Sequence, residues 1–406
     1  QTFESFLMQK KKILFLAFLD DMHKIQFLSD KKHTPLIHDG DYHSKLKKII
    51  LGKQNYYKKL KLPSNTFRKN NYLIYKEKKI LDKDSSFTEK MNNICQAWIN
   101  DDGSPFDMVI AKDGEIIFHN AFGDDEFGKF TINTPTEIAS ITKLITGVLF
   151  AQFVDQGLIG IDDPVGKYLP DFQIRGPQAV TMRHLFTHTG GFYGHGLFGG
   201  VHNHWLDNTL SYIIREDTVG TEYRYNGTGY DLAGKVMEII TGKSVFRLFH
   251  EYLYEPLGME NTYHEWALGY SVHTTAYDLA ILAQMLLQEG KYGGKKYFSK
   301  EKFKKLLPLN LKDMYPDLRY KNSWDENQPK GIGIVMQNWE IKDSSSKKFL
   351  LSDQVIGHGS ATSSVFRIDL INKIIITQSR RMGKSNFGDH FLKVYEAIDE
   401  QLNGDL

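Results

Sequence analysis

The chain has 406 residues, of which 41% are hydrophobic and 25% charged, and its formal net charge is +2. This composition predicts a globular protein with a sizeable core, and the near-neutral charge argues against a dedicated nucleic-acid-binding protein. The longest apolar run, residues 13–19, is far too short to span a bilayer. Cys95, which we expect on a buried helix face, is the single cysteine, and this excludes an internal disulfide and a cysteine-based zinc site.

The charge is distributed unevenly along the chain. Residues 1–90 contain twice as many Lys and Arg as Asp and Glu, whereas the remainder is net acidic. This asymmetry predicts a basic N-terminal extension or small domain over residues 1–85, followed by a second unit over 86–406. The extension either docks on an acidic or anionic surface or is a solvated polar segment.

After the extension, the first elements are a helix and a hairpin. The stretch KDSSFTEKMNNICQAWI predicts a helix capped by Ser85, Ser86 or Thr88. The stretch FDMVIAKDGEIIFHNAFG predicts two strands around a turn at residues 112–114.

The middle of the chain, from Thr134 to about Leu306, has mostly helical patterns interrupted by glycine-rich loops. Strand patterns return at the end in GIGIVMQNW, TSSVFRIDL and KIIITQSRR, and a last helix is predicted over residues 387–402. Strands at both ends with helices between them predict an α/β fold, in which distant segments form one antiparallel sheet and a mostly helical lobe is inserted. A cleft between sheet and lobe is a common location for an active site.

The stretch EIASITKLITG places Ser140 and Lys143 three residues apart on one helix face. Five other Ser-x-x-Lys matches lie in polar, lysine-rich stretches, whereas this one opens a helix that is apolar nearly all round and is predicted to end at Gly157. Burial disfavours the charged form of an amine, so we expect a neutral Lys143 that accepts the Ser140 proton. The alternative is a structural lysine whose amine reaches solvent.

Several longer segments carry a family resemblance. They are GLIGIDDPVGKYLPDF, TMRHLFTHTGGF, YRYNGTGYDLAGKVMEIITGK, EPLGMENT and TTAYDLAILAQMLLQEG. In this order they resemble the serine β-lactamase and penicillin-binding protein superfamily, in particular its class C-like branch of carboxypeptidases, esterases and D-aminopeptidases. The resemblance spans about residue 88 to the C-terminus. The resemblance implies a β-lactamase/transpeptidase-like fold and a covalent acyl-enzyme, with no cofactor and no metal.

The resemblance assigns the family's Tyr-x-Asn motif to Tyr225, Asn226 and Gly227, with Tyr225 as a proton carrier and the other two in contact with substrate. Gly227 departs from the family's asparagine. A literal Tyr-x-Asn occurs at residues 320–322, but its position relative to the other motifs favours Tyr225.

The third motif falls at His358, Gly359, Ser360 and Ala361. The resemblance places His358 where many relatives have lysine, Gly359 and Ser360 against the substrate, and the N–H groups of Ser140 and Ala361 in an oxyanion hole. Ser360 replaces the usual glycine, so its side chain either narrows the cleft or adds a hydrogen bond.

Two other polar groups receive structural interpretations. Histidines of the loop over residues 187–205 are candidate zinc ligands, but the loop lacks Cys, Asp and Glu, so we favour a wall of the cleft. That loop carries His188, His195, His202 and His204. The pair Asp162-Asp163 precedes Pro164, which is typical of a turn.

We therefore expect a serine hydrolase acting on a D-amino-acid peptide or small acyl ester. A β-lactamase and a non-turnover penicillin-binding receptor or scaffold are the alternatives. The resemblance favours an exported protein whose signal peptide has been removed.

Overall fold

The computed structural model describes residues 72–75, 83–126, 128–192, 218–337, 350–383 and 386–403. The basic region over residues 1–71 lies outside the described residues, and the boundary expected after residue 85 stays a prediction.

The strands of the described chain are two to eight residues long. They are β1 (Ile74–Tyr75), β2 (Phe106–Lys112), β3 (Glu115–Phe122), β4 (Asp124–Asp125), β5 (Gly128–Lys129), β6 (Thr136–Glu137), β7 (Tyr263–His264), β8 (Val272–Thr274), β9 (Lys291–Tyr292), β10 (Lys295–Lys296), β11 (Val335–Met336), β12 (Val355–His358), β13 (Val365–Asp369) and β14 (Ile374–Arg380).

Most helices lie between β6 and β11. The α-helices are α1 (Lys83–Asp102), α2 (Thr142–Asp155), α3 (Met182–Phe186), α4 (Thr228–Thr241), α5 (Val245–Phe249), α6 (Glu255–Leu257), α7 (Ala276–Leu287), α8 (Lys300–Leu306), α9 (Leu311–Met314), α10 (Ser323–Glu326) and α11 (Phe387–Asn403). Short 3₁₀ turns at Ala139–Ile141 and Val165–Lys167, and a π-helical turn at His250–Tyr254, complete the described helical segments. No described helix is long and apolar enough to cross a membrane.

The main sheet has the order β1-β3-β2-β14-β13-β12-β11. Its pairs are antiparallel except for the parallel pair of β1 with β3 at one edge. The hairpin of β2 and β3 turns at Asp113 and Gly114, whose φ angles of 51° and 84° suit the tight turn that joins twisted strands. The prediction of one sheet from both ends of the chain is confirmed, because β14 pairs with β2 along its whole length.

The sheet separates two hydrophobic cores. Along β2, Val109 and Ala111 contribute to the core under the helical lobe, while Met108 and Ile110 enter the core formed with α1 and α11. This is the period-two pattern of a strand that is buried on both faces. The sheet is therefore the middle layer of three.

Helix α1 begins at Lys83, so the prediction of a cap at Ser85, Ser86 or Thr88 is wrong. The physical reason is Phe87, which is 5% exposed and joins Met91 and Trp98 in the core. Residues four apart share a helix face, so the apolar stripe includes one more turn than the predicted helix.

Helix α2 is buried over its whole length from Thr142 to Val154. The prediction of a central helix is confirmed, and the helix ends before Gly157, which has a φ of 73°. A left-handed residue just after the last turn is a common helix termination and favours glycine.

We predict that Asp102→Ala lowers the free energy of unfolding by about 3–5 kcal/mol, because it leaves a buried cation unpaired. The Asp102 carboxylate contacts the Arg380 guanidinium, both side chains being fully buried, and it accepts hydrogen bonds from Trp98 Nε1 and Ser104 N–H. Urea denaturation measures the change.

The matched control is Glu400→Ala, which removes the Lys90–Glu400 ion pair, in which the side chains are 43% and 68% exposed. Exposed pairs contribute less than about 1 kcal/mol. Equal losses in Asp102→Ala and Glu400→Ala would contradict the stabilising role of the buried pair.

Candidate active site

Ser140 lies in a 3₁₀ turn that joins β6 to α2, and its side chain is half-buried. The turn is held by Val272 of β8, since Ile138 N–H donates to Val272 O at 2.9 Å and Val272 N–H donates to Thr142 Oγ1 at 3.1 Å. Ala139 has a φ of 43°, a left-handed conformation that is strained for a residue with a side chain. The strained residue therefore immediately precedes the predicted nucleophile.

The Lys143 amine is buried beside this turn, and the side chain is 2% exposed. Nζ donates to the carbonyl oxygen of Gly269 at 2.8 Å and lies 3.5 Å from Ser140 Oγ, at the outer limit of a hydrogen bond. It also lies 4.5 Å from the centroid of the Tyr225 ring and 5.6 Å from that of Tyr230. The predicted Ser–Lys–Tyr group is thus brought together by three separate segments.

Tyr225 is held in place by a residue that we considered only as a wall of the cleft or a zinc ligand. The rings of His188 and Tyr225 are 4.5 Å apart, and His188 Nδ1 accepts the Asn226 N–H at 3.2 Å. Burial, followed by the charge of Lys143, holds the pKa of His188 well below its usual value, so the imidazole is neutral. The other three histidines of the loop, His195, His202 and His204, lie outside the described residues.

His188 has a φ of 61°, which is uncommon for a non-glycine residue. Its backbone carbonyl accepts the Arg224 N–H at 2.9 Å. The backbone and the ring of His188 therefore both brace the segment that carries Tyr225.

The Asn226 side chain binds backbone groups of its own loop. Nδ2 donates to Arg224 O at 2.7 Å, and Oδ1 accepts the Gly229 N–H at 3.0 Å at the start of α4. These bonds satisfy one of the free N–H groups of the helix terminus. The predicted contact of Asn226 with substrate stays a prediction.

Gly227 and Gly269 approach each other closely, but only one of them lacks room for a side chain. A Cβ on Gly269 would lie 2.9 Å from Gly227 Cα and 3.4 Å from Lys143 Nζ. A Cβ on Gly227 would meet nothing closer than the Tyr270 ring, at 3.9 Å. The close approach thus requires glycine at 269, while Gly227 leaves open the space that a family asparagine would fill.

The third predicted segment lies at the end of β12, one strand in from the sheet edge formed by β11. His358 is buried, and its Nδ1–H donates to Gly359 O at 2.7 Å. Burial, with a smaller effect from the charge of Lys143, lowers the pKa of His358 to about 3, so its imidazole is neutral at physiological pH. This segment therefore presents no charged side chain at the position of His358.

Ser360 connects this segment to the turn that carries Ser140. Its Oγ donates to Ile138 O at 2.9 Å, and the same oxygen accepts the Thr362 N–H at 3.2 Å. The Ser360 hydroxyl thus binds the backbone of the turn that carries Ser140, and its predicted contact with substrate stays a prediction. Ala361 is exposed in the adjacent turn, and its N–H as an oxyanion donor stays a prediction.

The literal Tyr-x-Asn at residues 320–322 is in a different place. Tyr320 stacks on Tyr223 with ring centroids 5.3 Å apart, and Lys330 Nζ lies 4.5 Å from the Tyr223 centroid. Tyr320 thus packs on the residue two before Tyr225, whereas Tyr225 is the one that contacts Lys143.

The carboxylates of Asp162 and Asp163 have structural partners. Asp162 pairs with Arg183 at 2.6 Å, and Asp163 accepts hydrogen bonds from Gly160 N–H and the Tyr168 hydroxyl. The interpretation of this pair as part of a turn is confirmed.

A comparison with protein families matches residues 107–379 to the family described as Beta-lactamase. The chain belongs to this family. The matched residues include every predicted site residue from Ser140 to Ala361.

Among curated relatives, this chain is 28% identical over 214 residues to the teichoic acid D-alanine hydrolase of Staphylococcus aureus. The match covers 49% of this chain and 52% of the relative, so the chain spans about half the length of the curated relatives that it matches.

Solved structures support the fold. A penicillin-binding protein homologue from Caulobacter crescentus is 17% identical with a TM-score of 0.61, and 78% of this chain and 97% of that one are covered. A family VIII carboxylesterase is 18% identical with a TM-score of 0.60, with coverages of 77% and 96%. The β-lactamase/transpeptidase-like fold predicted from the sequence is confirmed.

We predict that Gly269→Ala lowers the free energy of unfolding by about 1–3 kcal/mol, because its Cβ would force apart the backbone around Gly227 and Lys143 Nζ. The facing variant Gly227→Asn should keep the wild-type stability, since the space is open and asparagine is a favoured residue at the start of a helix. Urea denaturation of both variants tests this. A greater loss in Gly227→Asn would refute the described packing.

Proposed function

We propose that this hydrolase cleaves D-alanyl esters through an acyl-enzyme formed on Ser140. The observation that carries the proposal is the buried Lys143 amine, held by Gly269 O between Ser140 Oγ and the Tyr225 ring. Within the family resemblance, this is the geometry needed to activate a serine.

In the proposed reaction, Ser140 Oγ attacks the ester carbonyl and its proton passes to Lys143, with Tyr225 as the second carrier. The N–H groups of Ser140 and Ala361 stabilise the oxyanion. The proton then goes to the leaving alcohol as the C–O bond breaks. A water molecule, deprotonated by the same groups, releases D-alanine from Ser140 and restores the serine proton.

The charges around the site favour an ester that has no carboxylate next to the segment of His358. His358 is neutral at physiological pH, and Lys330 donates to the carbonyls of Asp325 and Gln328 at 2.6 and 3.0 Å. A β-lactam carries a carboxylate, which a cation would pair with. The neutral imidazole therefore disfavours a β-lactamase and suits an uncharged ester group.

The D-alanyl part of the proposal is supported by the relative named teichoic acid D-alanine hydrolase. A substrate of the cell envelope in turn favours an exported protein. We also propose that the basic N-terminal region docks on an anionic surface.

We predict that the full chain hydrolyses D-alanyl nitrophenyl ester at least about tenfold faster than the L-alanyl ester, since one well-placed recognition contact contributes about 1–3 kcal/mol. Ser140→Ala should abolish turnover. Turnover is followed by release of nitrophenol, with intact mass to detect any stable adduct.

The matched control is Ser299→Ala, which changes another Ser-x-x-Lys serine. Ser299 caps the N-terminus of α8 and its Oγ donates to Asp155 at 2.6 Å, so this variant should retain turnover. Equal rates on the D and L esters would contradict the substrate. Rapid turnover of a chromogenic cephalosporin would favour a β-lactamase. A lasting adduct would favour a receptor, and the absence of any reaction would favour a scaffold.

A further inference from the structure

One peptide segment holds the Lys143 amine, and it is itself held from two sides. Leu268 N–H donates to Asp231 Oδ1 at 2.9 Å, and Leu268 O accepts the Thr146 hydroxyl at 2.8 Å. The next carbonyl, of Gly269, is the acceptor for Lys143 Nζ. The side chains that hold this segment thus come from α4 and α2.

Asp231 also connects this segment to the one that carries Tyr225. Its backbone N–H donates to Gly227 O at 3.2 Å in the first turn of α4. Gly227 is two residues after Tyr225. A single residue therefore links Gly227 to Leu268 through its backbone and its side chain. Because Gly227 and Gly269 are in close contact, a shift of either segment would displace the other.

We propose that Asp231 is a positioning residue that fixes the Gly269 carbonyl, and through it the distance between the Lys143 amine and Ser140 Oγ. It does so by accepting the Leu268 N–H. The proposal rests on the proposed roles of Ser140 and Lys143, but not on the identity of the substrate.

The surroundings of Asp231 make its hydrogen bond specific. The residue is 5% exposed. Burial, together with Asp231 and Glu137 of β6, raises the pKa of Tyr270, which lies in the loop that contains Gly269. Burial raises the pKa of Asp231 to about 7, and among titratable groups Lys143 on α2 lowers it. Both its ionised and its protonated form keep an oxygen that accepts the Leu268 N–H.

The test uses the rate constant of Ser140 labelling by a small fluorophosphonate, which requires an activated serine but no natural substrate. Asp231→Ala removes the acceptor and should slow labelling on the order of a hundredfold, the effect of misplacing a reacting group by about 1 Å. Asp231→Asn keeps an acceptor oxygen and should label within about threefold of the wild type.

Thr146→Val is a second variant, which removes the hydroxyl that holds the same peptide from its carbonyl side. It should slow labelling about three- to tenfold, because one neutral hydrogen bond is lost. If Asp231→Ala does not fold, this variant carries the test alone. Wild-type labelling rates in the folded variants would overturn the proposal.

The matched control is Asp278→Ala. Asp278 is another buried aspartate whose pKa burial raises to about 7, and its carboxylate accepts the Asn261 N–H at 2.8 Å. This variant should lose stability, yet its folded form should label as fast as the wild type. An equal slowing in Asp278→Ala and Asp231→Ala would reduce the role of Asp231 to general stability and overturn the proposal.

The pH dependence of labelling separates position from charge. With a positioning role, Asp231→Asn has the same profile as the wild type, because the hydrogen bond persists in both protonation states. Loss of an ionisation near pH 7 in this variant would mean that the carboxylate charge acts on Lys143, and would overturn the proposal. Labelling that survives Ser140→Ala would instead refute the proposed function.

Discussion

The hydrogen bond from the Lys143 amine to the carbonyl of Gly269 is the interaction on which the arrangement of the site depends. An amine on a fully buried helix needs a polar partner, because an unpaired buried charge or donor is strongly destabilising. The carbonyl meets that need without a counter-charge, and the rings of Tyr225 and Tyr230 surround the same amine. The amine is thereby kept within reach of Ser140, and its buried hydrogen-bond partner is an uncharged carbonyl.

Further constraints follow from the position of the Gly269 carbonyl beside the Lys143 amine. The segment around Gly269 must pass against Gly227, which leaves no room for a side chain at 269. The nucleophile turn must also meet the sheet, and it does so through Ser360 Oγ and Ile138 O, residues 222 positions apart in the sequence. The site is thus formed where the helical lobe, a short loop and the end of β12 converge, and each contributes backbone groups as well as side chains.

Much of this could be predicted from the sequence, for local reasons. The apolar helix around Lys143, the hairpin at Asp113 and three of the four C-terminal strands follow from periodicity and turn residues, and the order of motifs was enough to favour Tyr225 over Tyr320. The fourth strand, β12, was expected only from the third motif. The helix α1 cap was misjudged because polar residues near Phe87 gave a stronger local signal than one additional apolar position.

The contacts that complete the site could not be predicted in the same way. Gly269 lies 126 residues from Lys143, and the partners of His188 and Asp231 lie 38 and 37 residues away, so no local pattern links them. Serine at 360 was noticed as a departure, but its partner, a backbone carbonyl, carries no side-chain signal. The need for glycine at 269 likewise arises only because the fold brings its loop against Gly227.

Peptide mapping of the full chain after reaction with a fluorophosphonate tests the central claim most directly. The account predicts a single adduct on the peptide that contains Ser140, formed by the native protein and absent after urea denaturation, because the Lys143–Gly269 contact exists only in the folded chain. An adduct on another serine, or equal labelling of the native and the denatured protein, would contradict it.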